Sequence, residues 1–272
     1  MNKQLADELH SGARRNFPRR RVIVKSIDDL FETDLIDMSK YSRQNKGFKF
    51  ILVLINCFSK FVWVRPLKSK GADDVVCAMN DILKSIKYKP SKLNSDHGKE
   101  YYNSKFKALM HKYKIHHFST YSVIKASMAE RYNRTLKGQL WKHFTSTGTF
   151  KYIDVLQKLV DSYNSSVHRT TGLKPKFVTR RDQKYLLKHV YKTVGVKTKP
   201  KLKRDDLVRI SKYKHLFDKG YTANWTTELF KVVKVDPGWP VTYKLQDLSG
   251  ENILGSFYEP ELLKSKFKNG NK

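Results

Sequence analysis

Three acidic residues lie where carboxylates could carry out metal-dependent chemistry. Asp34 is in FETDLIDM, Asp96 in LNSDHGKEYYNSKF and Glu130 in IKASMAERYNRTLKGQLW. Carboxylate oxygens are ligands that Mg²⁺ prefers, and paired ions can stabilise the attacking and leaving oxygens of a phosphoryl transfer. Spacing alone is weak support, because the chain has 25 Asp and Glu residues and chance pairs are common. The elements that position these acids must decide whether they meet.

Apolar runs and helical periodicity around the acids predict an α/β core. The run GFKFILVLINCFSK is apolar enough for a strand buried on both faces at the centre of a sheet. Strands followed by alternating helices and strands indicate a mixed sheet flanked by helices. We expect strands in DLFETDLIDM, GFKFILVLINCFSK, FVWVRPLKS, KLNSD and IHHFST, and helices in ADDVVCAMNDILKSIK and NSKFKALMHKYK.

These elements would bring the three acids together. Asp34 lies within the first strand, Asp96 at the end of a later strand, and Glu130 on a helix that begins near Ser127. Carboxylates so close would repel one another unless a divalent cation lay between them. An alternative stays open for Glu130, because Ser127 followed three residues later by Glu is also a capping-box pattern.

The rest of the chain divides by composition. Residues 121–126 read as a loop, and FKYIDVLQKLVDSYNSSVH reads as a helix ending near Gly172. Residues 194–203 read as a linker, and short β-like runs with turn residues after it predict a small SH3-like β-barrel suited to DNA contact. We expect a basic N-terminal arm (1–29), a core (30–178), a helix with a basic linker (179–201), the barrel (202–265) and a basic tail (266–272).

The net charge favours a nucleic-acid partner. The formal charge is +30, and the excess is +3 over residues 1–30, +19 over 31–191 and +8 over 192–272. A field of this sign favours a polyphosphate and gives salt-sensitive binding. A lysine-rich proteome or a ribosome-associated factor is the alternative. The segment RRNFPRRR could track phosphates, serve as a nuclear import signal or be a solvated linker.

Other composition features exclude some classes. The chain has no apolar run of about 18 residues and no signal-peptide core at its N-terminus, which predicts a soluble intracellular protein without a membrane partner. Its two cysteines, Cys57 and Cys77, are predicted to be buried free thiols.

Several motifs together resemble the integrase catalytic core of retroviruses and retroelements. They are FETDLIDM, FSKFVWVRPLKSK, LNSDHGKEYYNSKF, ERYNRTLKG and SYNSSVHRTTGLKP. The resemblance covers about residues 30–178 and implies a ribonuclease-H-like fold with a mixed five-stranded sheet. DVLQKLVDSYNSSVHRTTGLKP and VRISKYKHLFDKGYTANWTTELFKV resemble more specifically the integrases of Maverick/Polinton transposons and virophages.

The resemblance implies a set of functional residues. Asp34, Asp96 and Glu130 match the metal-binding triad, which in such enzymes holds two Mg²⁺ (or Mn²⁺) ions for end processing and strand transfer. Arg134 and Lys137, one and two helical turns after Glu130, match DNA-contacting positions. A solvated helix face is the alternative for both. The DNA-contact candidates of the chain are Lys125, Asn133, Arg134, Lys137, Arg19, Arg20 and Arg21.

Nearby acids and histidines receive other roles. Asp37 faces the opposite side of its strand from Asp34, and Glu100 is similar to a family residue without a metal role. His97 stands where the family often has Asn after this aspartate, and we expect His168 to pack at a helix end. Phe31 stands where the family has Trp, and Asn56 departs from the family's VIDxFSK pattern.

Three functions compete at this point. The first is an integrase or transposase that joins element-end DNA to target DNA, acting as a dimer or tetramer in the host nucleus or packaged in a virion. The second is a domesticated DNA-binding protein without catalysis, and the third is a nuclease without strand transfer. No His-His-Cys-Cys zinc module precedes the core, so end recognition is expected to rest on the arm, the barrel, self-association or sequence outside this chain. Trp225, Trp239 and Tyr243 could form a cage for chromatin, although core packing is favoured.

Overall fold

The computed structural model describes residues 3–20, 24–119, 127–191, 199–213 and 220–266. The chain forms two compact units: one is Ile23–Lys192, and the other combines Met1–Val22 with Thr193–Lys272. Helix α1 (Lys3–His10) belongs to the second of these. No helix among the described residues is long and apolar enough to cross a membrane.

The first unit, which we call the core unit, is built on a mixed five-stranded sheet. Its order is β3-β2-β1-β4-β5, in which β1, β2 and β3 pair antiparallel while β4 and β5 continue parallel to β1. This arrangement, with helices on both faces, fits a ribonuclease-H-like fold and confirms the predicted α/β core. The strands are β1 (Leu30–Asp37), β2 (Phe50–Asn56), β3 (Val62–Leu67), β4 (Lys92–Ser95) and β5 (His116–Ser119).

Two apolar layers cover the faces of this sheet. Leu52 and Leu54 of β2 face one layer, whereas Ile51, Val53 and Ile55 face the other. The strand is therefore buried on both faces as predicted, but β1, not β2, is central. The helices of the unit are α2 (Ala72–Ser85), α3 (Ser104–Lys112), α4 (Ser127–Thr147), α5 (Leu156–Ser165) and α6 (Gln183–His189).

The layers assign α2 to α5 to the two faces of the sheet. Residues of α2 and α3 pack with Phe31 of β1, and residues of α4 and α5 pack with Ile36. Because side chains alternate along a strand, Glu32 and Asp34 share the α4 face with Ile36. Asp37 lies on the opposite face, as predicted.

Helix α5 is shorter than its periodicity predicts at both ends. Before it, the Asn45 Oδ1 accepts hydrogen bonds from the N–H groups of Tyr152 (2.6 Å) and Ile153 (3.1 Å), which holds this stretch outside the helix. After it, Ser166 is extended. Gly172, where we expected the helix to end, instead closes a separate turn with a φ of 67°.

The second unit, which we call the terminal unit, contains an antiparallel sheet of five strands in the order β10-β6-β7-β8-β9. Four strands fall in the predicted β-like runs, and the last was not predicted. Leu202, where the predicted linker meets the predicted barrel, is buried in this unit's core. The strands are β6 (Leu207–Ile210), β7 (Phe230–Asp236), β8 (Thr242–Gln246), β9 (Phe257–Tyr258) and β10 (Leu262–Lys264).

The N-terminal segment is part of the terminal unit rather than an extended arm. Glu8 of α1 forms a buried ion pair with Arg209 of β6, at 3.1 Å between Oε1 and Nε. The Leu9 carbonyl accepts hydrogen bonds from the N–H groups of Asn224 and Trp225. Charge count alone missed this packing because the apolar face of α1 is short and flanked by basic residues.

Two of the three aromatics considered for a chromatin cage belong to the core instead. Trp225 and Tyr243 are 3% and 0% exposed, whereas Trp239 is 38% exposed. The packing alternative therefore holds for Trp225 and Tyr243.

The two cysteines differ in environment. Both are free thiols, as predicted, but only Cys57 is buried and Cys77 is exposed. Val75, Ala78 and Met79 of α2 face the sheet, so helical geometry turns Cys77 outward.

Candidate active site

Asp34 lies on β1 with both carboxylate oxygens engaged. The Asn133 Nδ2 of α4 donates a hydrogen bond to Oδ2 at 2.7 Å, and the Leu35 N–H donates to Oδ1 at 2.8 Å. A strand residue and a helix residue thus fix the orientation of one carboxylate.

The charges of Asp96 and Glu130 act on Asp34. Burial, together with the negative charges of Asp96 and Glu130, raises the pKa of Asp34 to about 6 against the lowering effects of the Leu35 N–H and of Lys137. Like charges act this way only when they are close neighbours. The charges of Asp96 and Glu130 therefore both act on the Asp34 carboxylate.

The pairing of β1 with β4 explains how Asp96 comes to lie near Asp34. Leu30, Phe31 and Glu32 of β1 pair with Lys92, Leu93 and Asn94 of β4 in parallel register. Continuing that register by two residues sets Asp96 opposite Asp34. Asp96 follows the last residue of β4, and its Oδ1 accepts a hydrogen bond from the Gly98 N–H at 3.2 Å.

Glu130 projects from the first turn of α4 and its side chain is exposed. The carboxylate of Glu32 accepts the N–H groups of Met128 (2.8 Å) and Ala129 (3.0 Å). None of the described hydrogen bonds at this helix start uses Glu130. The capping alternative for Glu130 is weakened, since Glu32 satisfies two of the helix's free donors.

The donor set fits a divalent cation, although a closed ligand cluster is absent from the described residues. Within those ranges, no group of three or more His, Cys, Asp and Glu side chains is arranged to hold one ion. The available donors are nevertheless hard oxygens that Mg²⁺ and Mn²⁺ accept, and a cation would relieve the mutual repulsion acting on Asp34. The Asn133 Oδ1 is buried, and it has no hydrogen-bond partner in the part of the chain that the structure describes.

The predicted DNA-contacting residues are placed differently from one another. Arg134 and Lys137 are exposed on α4, and the positive charge of Lys137 lowers the pKa of Asp34. Asn133 is only 8% exposed and turned to Asp34, so its described contact is with the carboxylate rather than outward to DNA. Lys125 lies outside the described residues.

The arginines of the N-terminal segment are partly engaged within the terminal unit. Arg20 pairs with Asp236 at 2.7 Å and donates to the Pro240 carbonyl at 2.9 Å. This packing role was not predicted. Arg19 is exposed, with its guanidinium 4.8 Å from the Phe17 ring centroid. Arg21 is outside the described residues.

The acids and histidines set aside by sequence have other surroundings. Asp37 is exposed and accepts the Ser39 N–H at 2.8 Å, and its hydrogen bonds with Ser39 lower its pKa. His168 packs edge-on to Tyr163, and burial lowers its pKa to about 4. These contacts match the packing role expected for His168. His97 is exposed, with its ring 5.4 Å from that of Tyr102, and Glu100 is half-buried.

Glu32 is the residue that sequence reasoning missed. Its carboxylate is 1% exposed, and its position two residues before Asp34 on the same strand face was a readable signal. An acid at a buried position of a strand needs a buried partner, and the partner is the start of α4.

The core unit is similar in sequence to a known protein family and in fold to solved structures. Residues 28–120 match the family model described as the integrase core domain, rve. One chain of the simian T-cell lymphotropic virus intasome, solved by cryo-EM in complex with a PP2A regulatory subunit, aligns with a TM-score of 0.62 and 15% identity over 93% of this chain and 83% of that chain. At this identity the likeness shows the fold alone.

Curated relatives add a sequence likeness that extends beyond the matched domain. A transposon-derived protein of Caenorhabditis elegans is 41% identical over 193 residues, covering 71% of this chain and 65% of that protein. The KRAB-A domain-containing protein 2 of Homo sapiens is 36% identical over 90 residues, covering 33% of this chain and 18% of that protein. The chain thus spans less than two thirds of the length of either relative.

Proposed function

We propose that this chain is a DNA integrase, a metal-dependent polynucleotidyl transferase that joins the ends of a mobile element to target DNA. The observation that carries the proposal is the hydrogen bond between Asp34 of β1 and Asn133, which lies one turn after Glu130 on α4, in a chain whose residues 28–120 match the integrase core domain. The match to a transposon-derived relative supports an integrase- or transposase-like role.

The residues of the site have distinct tasks in this reaction. Asp34, Asp96 and Glu130 would hold two Mg²⁺ or Mn²⁺ ions, which when bound stabilise the attacking and leaving oxygens of an in-line displacement. Asn133 keeps the Asp34 carboxylate in one orientation through its 2.7 Å hydrogen bond. Arg134 and Lys137, exposed on α4, bind phosphates of the element's end.

Two displacements at phosphorus follow in sequence. Water first attacks at the element's end, which breaks a P–O bond and leaves a free 3′ hydroxyl. That hydroxyl then attacks a phosphodiester of the target, forming a new P–O bond as the target's 3′ oxygen leaves. Neither step requires a covalent bond to the protein.

The terminal unit supplies the remaining contacts in this proposal. Its five-stranded sheet would close as an SH3-like barrel that binds DNA, with Arg19 and the basic residues around it. Joining two ends calls for at least two active protomers, so a dimer or tetramer acts on element-end and target DNA in the host nucleus. The element would be of the Maverick/Polinton or virophage kind, with packaging in a virion in the latter case, and chromatin is a further candidate partner.

A second candidate is an integrase-derived DNA-binding protein without catalysis. The lack of a closed ligand cluster among the described residues favours it. The basic surface alone would then carry the function.

The test is the pattern of products from the purified wild-type chain. The chain is mixed with Mg²⁺ or Mn²⁺, a labelled duplex carrying the element's terminal sequence, and a plasmid. Covalent joining of the label to the plasmid is the expected result. Nicking without joining would indicate a nuclease, and a shifted duplex without any cleavage would indicate the DNA-binding candidate.

A further inference from the structure

Glu32 is a buried carboxylate on β1 that binds the start of α4. Its side chain is 1% exposed, and its Oε2 accepts the N–H groups of Met128 at 2.8 Å and Ala129 at 3.0 Å. The first N–H groups of a helix have no partner within the helix, and its N-terminus carries partial positive charge. A buried carboxylate at this position provides acceptors for the unpaired N–H groups of the helix, and these N–H groups compensate the burial of its charge.

The position of Glu32 links it to the proposed site. It precedes Asp34 by two residues on the same strand face, a separation of about 7 Å along the strand. The residues it binds directly precede Glu130 on α4. One strand thus orients Asp34 through its own backbone and fixes the helix turn that carries Glu130.

Lys60 adds a second contact to the same turn. Its side chain is buried, donates to the Cys57 carbonyl, and lies with Nζ 3.1 Å from the Met128 Sδ. The ammonium also lies 5.3 Å from the ring centroid of Tyr191. The start of α4 is therefore held by buried groups from β1 and from the β2–β3 turn.

We propose that Glu32 is a positioning residue that holds Glu130 opposite Asp34 by binding the first turn of α4. The inference rests on the proposed function for its catalytic meaning. A second prediction does not depend on catalysis. The first turn of α4 should be ordered only when the side chain at position 32 is long enough for its oxygen to accept the N–H groups of Met128 and Ala129.

Two substitutions separate reach from charge. E32D keeps the charge but withdraws the acceptor by one methylene, whereas E32Q keeps the reach and an acceptor oxygen but removes the charge. N45A is the matched control. Asn45 is equally buried and accepts two backbone N–H groups, from Tyr152 and Ile153, which follow the C-terminal end of α4 rather than its first turn.

Three measurements are made on the full chain with each variant. Hydrogen exchange reports the amides of Met128 and Ala129, calorimetry reports Mn²⁺ affinity, and the joining assay separates kcat from the KM for Mn²⁺. We expect E32D to speed exchange at both amides and to weaken Mn²⁺ binding by about 10- to 100-fold, the range seen when an outer partner of a metal ligand is removed. E32Q should stay close to wild type in all three, and N45A should lower the Tm without changing Mn²⁺ affinity.

Other outcomes would overturn the proposal. Wild-type exchange and Mn²⁺ affinity in E32D would show that Glu32 does not order the helix. Equal weakening of Mn²⁺ binding in N45A would reduce the effect to general destabilisation. A wild-type chain that binds no Mn²⁺ and joins no DNA would defeat the proposed function, and the exchange data would still decide whether Glu32 holds α4.

Discussion

The surroundings of the Asp34 carboxylate disfavour its ionised form. Burial and two neighbouring carboxylates raise its pKa to about 6 from an ordinary 3.8. Because the folded state binds this proton more tightly than the unfolded state, the stability it contributes is full below pH of about 3.8 and is lost as the pH rises through about 6. Such strain at a site of hard oxygens is what a bound divalent cation would relieve.

D34N should therefore stabilise the metal-free protein at pH 8. We expect a gain of about 2 kcal/mol in the free energy of unfolding, shrinking towards zero near pH 4. Urea unfolding in the presence of a chelator measures it. D37N is the control, since the pKa of the exposed Asp37 is lowered and its removal should not stabilise. A D34N protein no more stable than wild type at pH 8 would contradict this account of the site.

Asn133 should act through Asp34 rather than through DNA. N133A removes the 2.7 Å hydrogen bond to the carboxylate, and we expect Mn²⁺ affinity to fall by about 10- to 100-fold. N164A, which removes another buried asparagine bonded to the Val62 backbone, should cost stability while leaving Mn²⁺ affinity unchanged. Calorimetry compares the two, and weaker DNA binding by metal-free N133A would instead support a direct role of Asn133 in holding DNA.

At the scale of elements, α4 has one face packed on the sheet and one face exposed to solvent. Its inner face packs Tyr132, Leu136 and Leu140 against the sheet, while Arg134 and Lys137 are exposed on its outer surface. The inner face fixes the helix, so the backbone positions that carry Arg134 and Lys137 are fixed relative to the sheet.

Removal of the outer charges should weaken DNA binding with a characteristic salt signature. For R134A and K137A, the slope of log K against log salt should fall by about one for each phosphate that the variant no longer neutralises. K84A removes the same charge from the last turn of α2, a helix on the other face of the sheet, and should leave the slope unchanged. Equal slopes for all three variants would mean that α4 has no special role in binding. Fluorescence anisotropy over a salt series gives these values.

The elements show what sequence could and could not predict. Continuous apolar runs and 3.6-residue periodicity located β1 to β5 and α2 to α4. The order of the strands was not predicted beyond a central β2, and the central strand is β1. The contact between Glu32 and Met128 could not be predicted from the sequence, because it joins residues far apart in the chain and depends on how they are buried in the fold. The packing of α1 and the late start of α5 depend on similar contacts, through Arg209 and Asn45.

At the scale of the whole molecule, the terminal unit is built from both ends of the chain. The Glu8–Arg209 pair that joins them is 6% and 3% exposed at its side chains, and the Trp225 Nε1 donates to the Ser11 carbonyl at 2.9 Å. A pair this buried is costly to break on one side, because the remaining charge has no partner.

E8A should accordingly destabilise the terminal unit by about 3 kcal/mol. K231A, which breaks an exposed pair with Asp205 in the same unit, should cost well under about 1 kcal/mol. Hydrogen exchange of β6 to β8 amides in the full chain measures both. Equal protection in E8A and K231A would show that the N-terminal segment does not support this sheet.

The joining rate of carboxylate variants tests the central claim most directly. D96N and E130Q keep side-chain size and remove one charge each, and D37N does the same at an exposed acid on the opposite face of β1. In the Mn²⁺-dependent assay with element-end duplex and plasmid, we expect D37N to join DNA at close to the wild-type rate. D96N and E130Q should reduce joining by at least about 100-fold while still binding the duplex. Joining by D96N and E130Q at the wild-type rate would contradict the assignment of the site.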